Sequence, residues 1–457
     1  MPAPLALFLC ICLIAWLFWR DRRQSQFSSP ALWIPFLWLA ISGSRPVSYW
    51  FGGGGDANAA VDGNPINTLV FGVLILAATL VLLQRHLNWG AFIQNNKAVC
   101  LIYLFFAVSA AWSPLGLVSL KRVIKDFGCV LVALVLLTEN DPVAAIRTVF
   151  VRVSYLIFPL SVLAIKYYPD IGRNYSVDGG AMATGLTTQK NSLGEIVLVL
   201  GLVTLWDLLE MRRENNSGEL RTKIRIRYGM LLMGIWLLAT CDSVTSIICS
   251  LLGLFVLWGG GRLVQMRNGR RVLVYCFIVA ACLVGLNGTF GISDAILHAV
   301  GRDPTLTDRT YIWQAILDQK TDPLVGFGFY SFWDSEFGRN VNIAMRTEGL
   351  NEAHNGYLET FVDGGVVGEG LLVVLLLAVG ARSIRRLFDG SLFGRMAFAF
   401  WLIAIFSDIS EVNFFRLGAI WFTFLLLAIE CPGRLPVAAG ESAFFTNESA
   451  ANQVTGV

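Results

Sequence analysis

The sequence predicts an all-α polytopic membrane protein, because its composition is far more apolar than that of a soluble domain. Of its 457 residues, 55% are hydrophobic and only 15% are charged, and the mean hydropathy is +0.63. Soluble domains carry about 25% charged residues. In addition, the apolar residues form runs long enough to cross a bilayer. One long polar segment, 301–370, has such runs before it and after it.

The apolar runs predict about 12–13 transmembrane helices, since one span needs about 20 apolar residues. The first run has arginines after it and no basic stretch before it, so it is interpreted as a span and not as a cleaved signal peptide. The runs lie near 2–19, 31–48, 67–84, 98–113, 121–138, 148–166, 192–210, 228–241, 244–261, 272–288, 365–381, 396–410 and 414–430.

The distribution of basic residues predicts the orientation, because loops rich in Lys and Arg stay in the cytoplasm. Most of the 35 Lys and Arg lie inside if the segments around 20–28, 85–97, 139–152, 211–227, 262–271 and 382–395 and the C-terminal tail are cytoplasmic. Four regions follow from this orientation. They are N-terminal transmembrane helices with short periplasmic loops (1–288), a large periplasmic loop before the last three spans (289–364), C-terminal transmembrane helices (365–431) and a disordered cytoplasmic tail (432–457).

The large loop is predicted to be partly helical and to carry the catalytic residues. DRTYIWQAILDQK has the apolar spacing of an amphipathic helix. The glycine-broken aromatic segment GFGFYSFW suits contact with lipid headgroups or a lipid chain. We expect a second helix to begin near Asn351, to carry His354, and to be broken at Gly364-Gly365 before the next span.

The chain carries no motif for metal or nucleotide chemistry, so no metal site and no cofactor are predicted. No Asp-x-Asp pair occurs, and the histidines His86, His298 and His354 are far apart in the sequence. Nearly all nine cysteines lie in apolar runs, which is neither a disulfide framework nor a zinc pattern. There is no Walker motif and no basic run, which argues against an ATP-driven pump and against nucleic acid as a partner.

Basic side chains in four separate predicted outer segments favour an anionic lipid headgroup as ligand. Arg is the preferred partner for phosphate, because its planar fork binds two oxygens at once. Each basic residue can alternatively be an interfacial anchor or a member of a structural ion pair, and this alternative is weakest for the residue that starts the amphipathic loop helix, Arg309. The candidate diphosphate ligands are Arg45, Arg122, Lys190, Arg302 and Arg309.

His354 is the predicted acid/base residue. Imidazole titrates near neutral pH, so it can take a proton from a hydroxyl group as that hydroxyl attacks. In the first turn of a helix, the positive end of the helix dipole would favour the neutral form of His354. The alternative is a structural histidine, with the acid/base role falling to Glu348, Glu352, Glu359 or Asp363.

Two halves of the large loop carry a family resemblance. HNGYLETFVDGGVVGEGLL and TLTDRTYIWQAILDQKTDPLVGFGFYSF together resemble the O-antigen ligase / O-antigen polymerase superfamily, especially its exopolysaccharide polymerase-like branch. GLTTQKNSLGE and SLKRVIKDFG are similar in character to two earlier outer segments of that branch. The most specific part is His-Asn-x-Tyr-Leu with the upstream Arg-Thr-x-x-Trp, and the predicted extra first helix departs from the family's usual count.

The resemblance implies a metal-independent glycosyltransferase of the bacterial inner membrane that acts on the periplasmic side. Its donor would be a glycan on undecaprenyl diphosphate, and its acceptor would be a hydroxyl group of another glycan. Membrane lipids would surround the protein, and a chain-length regulator is a candidate protein partner. His354 matches the family's proposed base, and Arg309 is assigned with it to the catalytic site. Arg122, Lys190 and Arg309 match the family's diphosphate-holding residues, although Lys190 replaces an Arg of some members and offers a point charge in place of a fork.

Several functions remain open within and beyond this resemblance. Polymerisation of polysaccharide or O-antigen is favoured by the likeness to the exopolysaccharide branch, and ligation of O-antigen to the lipid A core is the alternative within the superfamily. A flippase for lipid-linked oligosaccharides would have a similar number of spans but would need charged residues along a central cavity. A structural or sensor protein would not require cations in four outer segments.

Overall fold

The computed structural model describes residues 1–24, 29–51, 64–85, 87–175, 179–213, 218–275, 309–347 and 349–431. These residues are largely helical, and the described part of the chain contains one short antiparallel hairpin of β1 (Arg173–Tyr175) and β2 (Ala181–Ala183). The main helices are α1 (Ala3–Gln24), α2 (Trp33–Ser42), α3 (Val47–Trp50), α4 (Pro65–Gln84), α5 (Trp89–Asn95), α6 (Lys97–Ser109), α7 (Gly116–Leu137), α8 (Pro142–Tyr167), α9 (Pro169–Gly172), α10 (Lys190–Met211), α11 (Gly218–Thr240), α12 (Val244–Gln265), α13 (Arg309–Leu317), α14 (Glu336–Ala344), α15 (Gly356–Phe388), α16 (Leu392–Ser407) and α17 (Ala419–Ala428).

The prediction of an all-α polytopic membrane protein is confirmed. Among the described residues, 6 helices are long and apolar enough to cross a membrane, namely α1, α4, α8, α10, α12 and α15. α5 and α6 meet at a bend of 96°, and the number rises to 7 when this bent pair is counted as one span. The predicted span at 272–288 lies mostly outside the described residues, as does the predicted tail at 432–457.

α7 coincides with the predicted span at 121–138, yet it carries four charged residues. It has 22 residues, long enough to cross a membrane, but includes Lys121, Arg122, Lys125 and Asp126. Arg122, Asp126 and Cys129 follow helical spacing and are all buried, so this stripe of α7 faces the protein interior and not lipid. Charged residues on an inward-facing stripe of a membrane helix indicate a functional site.

α8 and α10 form the centre of the helical bundle. Of their most apolar stretches, 78% and 72% respectively are buried, against 11% for α1 and 28% for α4 and α12. Large side chains fill the space around them, and Phe158, Trp206 and Trp421 are fully buried. The gradient of burial assigns α1, α4 and α12 to the periphery, where a membrane helix contacts lipid.

α15 is broken near its start, as the sequence predicted at Gly364-Gly365. Gly365 has φ 60° and ψ −161° inside the helix, a backbone conformation that glycine tolerates. Segment 323–328 of the large loop runs beside the break, and four backbone hydrogen bonds of 2.9–3.1 Å join the two. The loop therefore supplies partners for backbone groups that the broken helix leaves unpaired. The bonds run from the N–H groups of Phe327, Gly328, Val366 and Val367 to the carbonyls of Val362, Asp363, Pro323 and Leu324, respectively.

The connection between α16 and α17 is longer than predicted. The apolar runs place spans at 396–410 and 414–430, but α16 ends at Ser407 and α17 begins only at Ala419. Residues 408–418 therefore form a separate connection, which we call the 408–418 segment. Asp408 holds it together, because its Oδ1 accepts the N–H groups of Asn413 at 2.8 Å and Phe414 at 2.9 Å.

Candidate active site

A cavity of about 650 Å³ lies at the end of the bundle where the large loop packs. Its walls come from the ends of α2, α7 and α10, from the start of β1, from the large loop and from the 408–418 segment. This volume is within the range of about 300–1,000 Å³ that is typical of ligand sites. Among the described residues, the basic side chains in its walls are Arg45, Arg122, Lys125, Arg173 and Arg416.

Two of the predicted diphosphate ligands, Arg45 and Arg122, lie in the cavity wall. The Arg45 guanidinium donates to backbone carbonyls, from Nε to Thr187 at 3.0 Å and from a terminal nitrogen to Ile171. Burial lowers the pKa of Arg45 from its ordinary value, although a guanidinium remains charged in proteins. Because these contacts are with carbonyls, they hold the side chain in place without cancelling its charge.

Two other predicted basic residues, Lys190 and Arg309, are not part of the cavity wall. Lys190 is the first residue of α10, and its Nζ lies 4.0 Å from an oxygen of Asp242, with the side chain partly exposed. Arg309, the first residue of α13, reaches the 408–418 segment and donates to the carbonyl of Ser410 and, at 2.9 Å, to Oε1 of Glu411. Arg302 lies outside the described residues.

His354 lies in the loop before α15, so the predicted helix beginning near Asn351 is wrong at this point. α15 begins at Gly356, because the Asn355 side chain caps it by accepting the N–H groups of Tyr357 and Leu358 at 3.1 and 3.0 Å. An N-cap residue has a non-helical backbone, which ends the helix there. His354 itself has φ 49°, an uncommon conformation for a residue with a side chain.

Two carboxylates flank the imidazole of His354. Its Nδ1 lies 3.1 Å from Oε1 of Glu352 and 4.0 Å from Oε2 of Glu411. Burial alone lowers the pKa of His354, but the close contact with Glu352 and the charges of Glu352 and Glu411 raise it by more, so the pKa lies above its ordinary value. The expectation that a helix dipole favours neutral His354 is therefore wrong, because the residue precedes the helix and faces two carboxylates.

Glu411 links His354 to two other elements, and the sequence reasoning did not identify it. Its Oε1 accepts Nδ2 of Asn191 at 2.8 Å as well as the guanidinium of Arg309. Both Asn191 and Glu411 line the cavity. The available signal was an acidic and a basic residue within the otherwise apolar stretch SEVNFFRLG.

Arg416 is the second residue that the sequence reasoning missed. It forms an ion pair with Glu359 at 2.5 Å, and its guanidinium carbon lies 3.4 Å from the centre of the Tyr330 ring. Arg122 packs on the same ring at 4.8 Å and forms an ion pair with Asp334. The cavity wall therefore holds two guanidinium groups against one aromatic ring.

The acidic residues named as alternatives to His354 have distinct surroundings. Glu352 contacts the imidazole and lines the cavity. Glu359 and Asp363 are buried on α15, with 3% and 4% of their surface exposed. Glu348 lies outside the described residues.

Glu352, His354 and Glu411 are also the kind of side chains that bind a divalent cation. Their potential ligand atoms all lie within 4.8 Å of one another, and carboxylates with imidazole suit several metals. Arg309 and Asn191 already donate to one oxygen of Glu411, and a cation there would compete with both. The prediction of no metal thus stays a prediction that a chelator can test.

Comparisons with known proteins agree with the resemblance found in the large loop. A family model described as O-antigen ligase matches residues 228–375. The exopolysaccharide production protein ExoQ of Rhizobium meliloti (strain 1021) is 26% identical over an alignment of 307 residues, and the match covers 62% of this chain. The match spans 64% of that relative, less than two thirds of its length. Together they confirm the resemblance to the O-antigen ligase and polymerase superfamily, and they support a glycosyltransferase-type enzyme in a multi-pass membrane protein.

Proposed function

We propose that this protein is a metal-independent glycosyltransferase of the bacterial inner membrane. It moves a glycan from undecaprenyl diphosphate to a sugar hydroxyl on the periplasmic face, and its physiological reaction is polysaccharide polymerisation. The observation that carries the proposal is that Glu352 and Glu411, the two carboxylates that flank His354, lie in the wall of a cavity that also contains four arginines and a lysine.

The donor chemistry needs positive charge where the leaving group develops negative charge. The bond between the sugar C1 and the diphosphate breaks, and its electron pair stays on the diphosphate. Fixed guanidinium groups stabilise that charge without reorganising during the reaction. Arg45 and Arg122 of the predicted set lie in the cavity wall and fit this role, while Lys190 and Arg302 stay predicted ligands.

The acceptor chemistry needs a base for the attacking hydroxyl. When Nδ1–H of His354 donates to Glu352, Nε2 is free to accept the hydroxyl proton as the oxygen bonds to C1. Such a carboxylate also stabilises the imidazolium that forms. Arg309 acts in this scheme by fixing Glu411 beside the imidazole.

A direct attack by the acceptor oxygen on C1 inverts the anomeric configuration. We therefore expect the new glycosidic bond to have the opposite configuration to the bond between sugar and diphosphate. NMR spectroscopy of the product from a donor of known configuration measures this, and a retained configuration would contradict direct displacement.

The proposal is tested with His354→Ala in cells and with purified protein. In cells, an enzyme variant loses polymer while the lipid-linked donor accumulates on the periplasmic side. A flippase variant would accumulate donor on the cytoplasmic side, and a scaffold variant would change neither. Arg339→Gln, at an exposed position of α14, is the control for a substitution on the same loop.

Ligation to the lipid A core is the second candidate, because the matching family model is described as O-antigen ligase. The ExoQ relative favours polymerisation, since its name concerns exopolysaccharide production. Purified protein given a defined lipid-linked donor, with and without lipid A core, separates the two reactions. Elongated lipid-linked glycan without the core supports polymerisation, and transfer only when the core is present supports ligation.

A further inference from the structure

Tyr330 is the centre of a cluster that joins three distant parts of the chain. It belongs to the large loop, Arg122 to α7 and Arg416 to the 408–418 segment. The guanidinium carbons lie 4.8 and 3.4 Å from the ring centre, and all three residues line the cavity. Stacking uses the face of a guanidinium and leaves its N–H edge for hydrogen bonds.

The backbone around Tyr330 is shaped to present this ring. Tyr330 has φ 55°, and Gly326 and Gly328 have φ 68° and 96°. At Gly328, an added Cβ would lie 2.5 Å from Cβ of Ser113, at the end of the bundle. Ser113 also bonds Ser331 through their hydroxyl groups at 2.7 Å. The GFGFY sequence therefore fixes the ring against the bundle.

Arg416 retains hydrogen-bonding capacity beyond its ion pair. Its terminal nitrogen bonds Glu359, whereas its buried Nε has no hydrogen-bond partner among the described residues. Glu359 also accepts Nε1 of Trp333 and the N–H of Ala353, each at 2.8 Å. The carboxylate would thus have two other donors if Arg416 turned towards an anion in the cavity.

We infer that Arg416 and Arg122, stacked on Tyr330, form the clamp that binds the diphosphate of the lipid-linked donor. This inference rests on the proposed function and adds to it a residue from the 408–418 segment that the sequence reasoning did not select. Two guanidinium groups against one ring bring two cations to one place in the wall, although each is also paired with a carboxylate, and a diphosphate has two linked phosphates that can accept from both. The clamp binds the leaving group, and the same cavity wall carries Glu352 and Glu411 beside the base.

The main alternative is that Arg416 only neutralises the buried Glu359. Glu359→Gln combined with Arg416→Gln removes both charges of this ion pair, so Glu359 is not left without its partner and the two roles are separated. The measurements are binding of undecaprenyl diphosphate in nanodiscs, the KM values for donor and acceptor, and thermal unfolding. Lys320→Gln, which removes an exposed basic residue of the large loop, is the matched control.

If Arg416 is part of the clamp, the double variant should unfold at the wild-type temperature but bind undecaprenyl diphosphate at least about tenfold more weakly. This is the factor expected for the loss of one charge-assisted hydrogen bond. The donor KM should rise by a similar factor with the acceptor KM unchanged. Wild-type binding and wild-type donor KM in the double variant would overturn the inference. If the double variant does not fold, the single variants Arg416→Lys and Tyr330→Leu test the inference instead. Arg416→Lys removes the guanidinium fork and Tyr330→Leu removes the ring, and each should weaken the binding of undecaprenyl diphosphate.

The experiment also keeps this inference separate from the proposed function. If wild-type protein binds undecaprenyl diphosphate and the double variant does not, the clamp stands even when no glycan is transferred. If transfer occurs and the double variant binds donor normally, the clamp is wrong and the glycosyltransferase remains. Inorganic diphosphate, used as a competitor, shows whether the headgroup alone is recognised.

Discussion

Replacing Gly356 by alanine tests whether the 408–418 segment positions the active site. A Cβ at Gly356 would lie 2.0 Å from Oδ1 of Asp408, so the carboxylate must retreat by about 1.4 Å to reach ordinary van der Waals contact. That oxygen accepts the N–H groups of Asn413 and Phe414. We expect the variant to lose about 2–5 kcal/mol of stability. The lower value corresponds to overpacking alone, and the upper value applies if the two buried N–H donors also lose their acceptor.

The assay compares this variant with Gly370→Ala on the same helix, where an added Cβ meets nothing within 4 Å. Thermal unfolding in detergent and glycan transfer are measured for both. Gly370→Ala should be neutral or slightly stabilising, because alanine is the better helix former. Gly356→Ala should also lose transfer, since the displaced segment carries Glu411 and Arg416.

A double variant checks the cause of this loss. If contact with the Asp408 carboxylate is responsible, Gly356→Ala should cost much less in an Asp408→Ala background, where Oδ1 is absent. Wild-type stability and turnover in Gly356→Ala, or strictly additive costs in the double variant, would refute the reasoning.

Three further predictions concern the surroundings of His354. Glu352→Gln should move the acid limb of the pH–rate profile to lower pH, because Glu352 raises the pKa of His354 and the base form exists only above that pKa; an unmoved limb contradicts the pairing. Excess EDTA should leave transfer unchanged, because Arg309 already bonds Glu411; inactivation reversed by Mn²⁺ or Mg²⁺ would instead identify a metal site. Asn355→Ala should cost about 1 kcal/mol through loss of the N-cap, and a stability unchanged in thermal unfolding would contradict the cap.

The helices of the bundle could be predicted from the sequence because long apolar runs have few other stable forms in a membrane. The same reasoning gave the break in α15, since Gly364-Gly365 interrupts an apolar run, and it located the amphipathic helix α13. It misplaced the start of α15, because periodicity extends the helix back to Asn351 whereas the side chain of Asn355 caps it.

The 408–418 segment could not be predicted because hydropathy does not distinguish burial in protein from burial in lipid. Val412, Phe414 and Phe415 extend the apolar runs on either side, and all three are buried in the structure. The sequence therefore favours two long spans with a tight turn. Of the three charged residues in this stretch, Glu411 and Arg416 line the cavity, and they are the signal that the stretch faces a polar space.

The first turn of α15 shows why the large loop and the 408–418 segment must act as one unit. Glu359 accepts hydrogen bonds from Trp333 of the loop, from Ala353 beside His354, and from Arg416. The position of the proposed base and the position of the proposed diphosphate ligand therefore depend on the same buried carboxylate. Because removal of one partner of a buried ion pair costs about 3–5 kcal/mol, a change at Glu359 alone should disturb donor binding and proton transfer together. A variant that lost one step and kept the other would show that the two halves of the site are held independently.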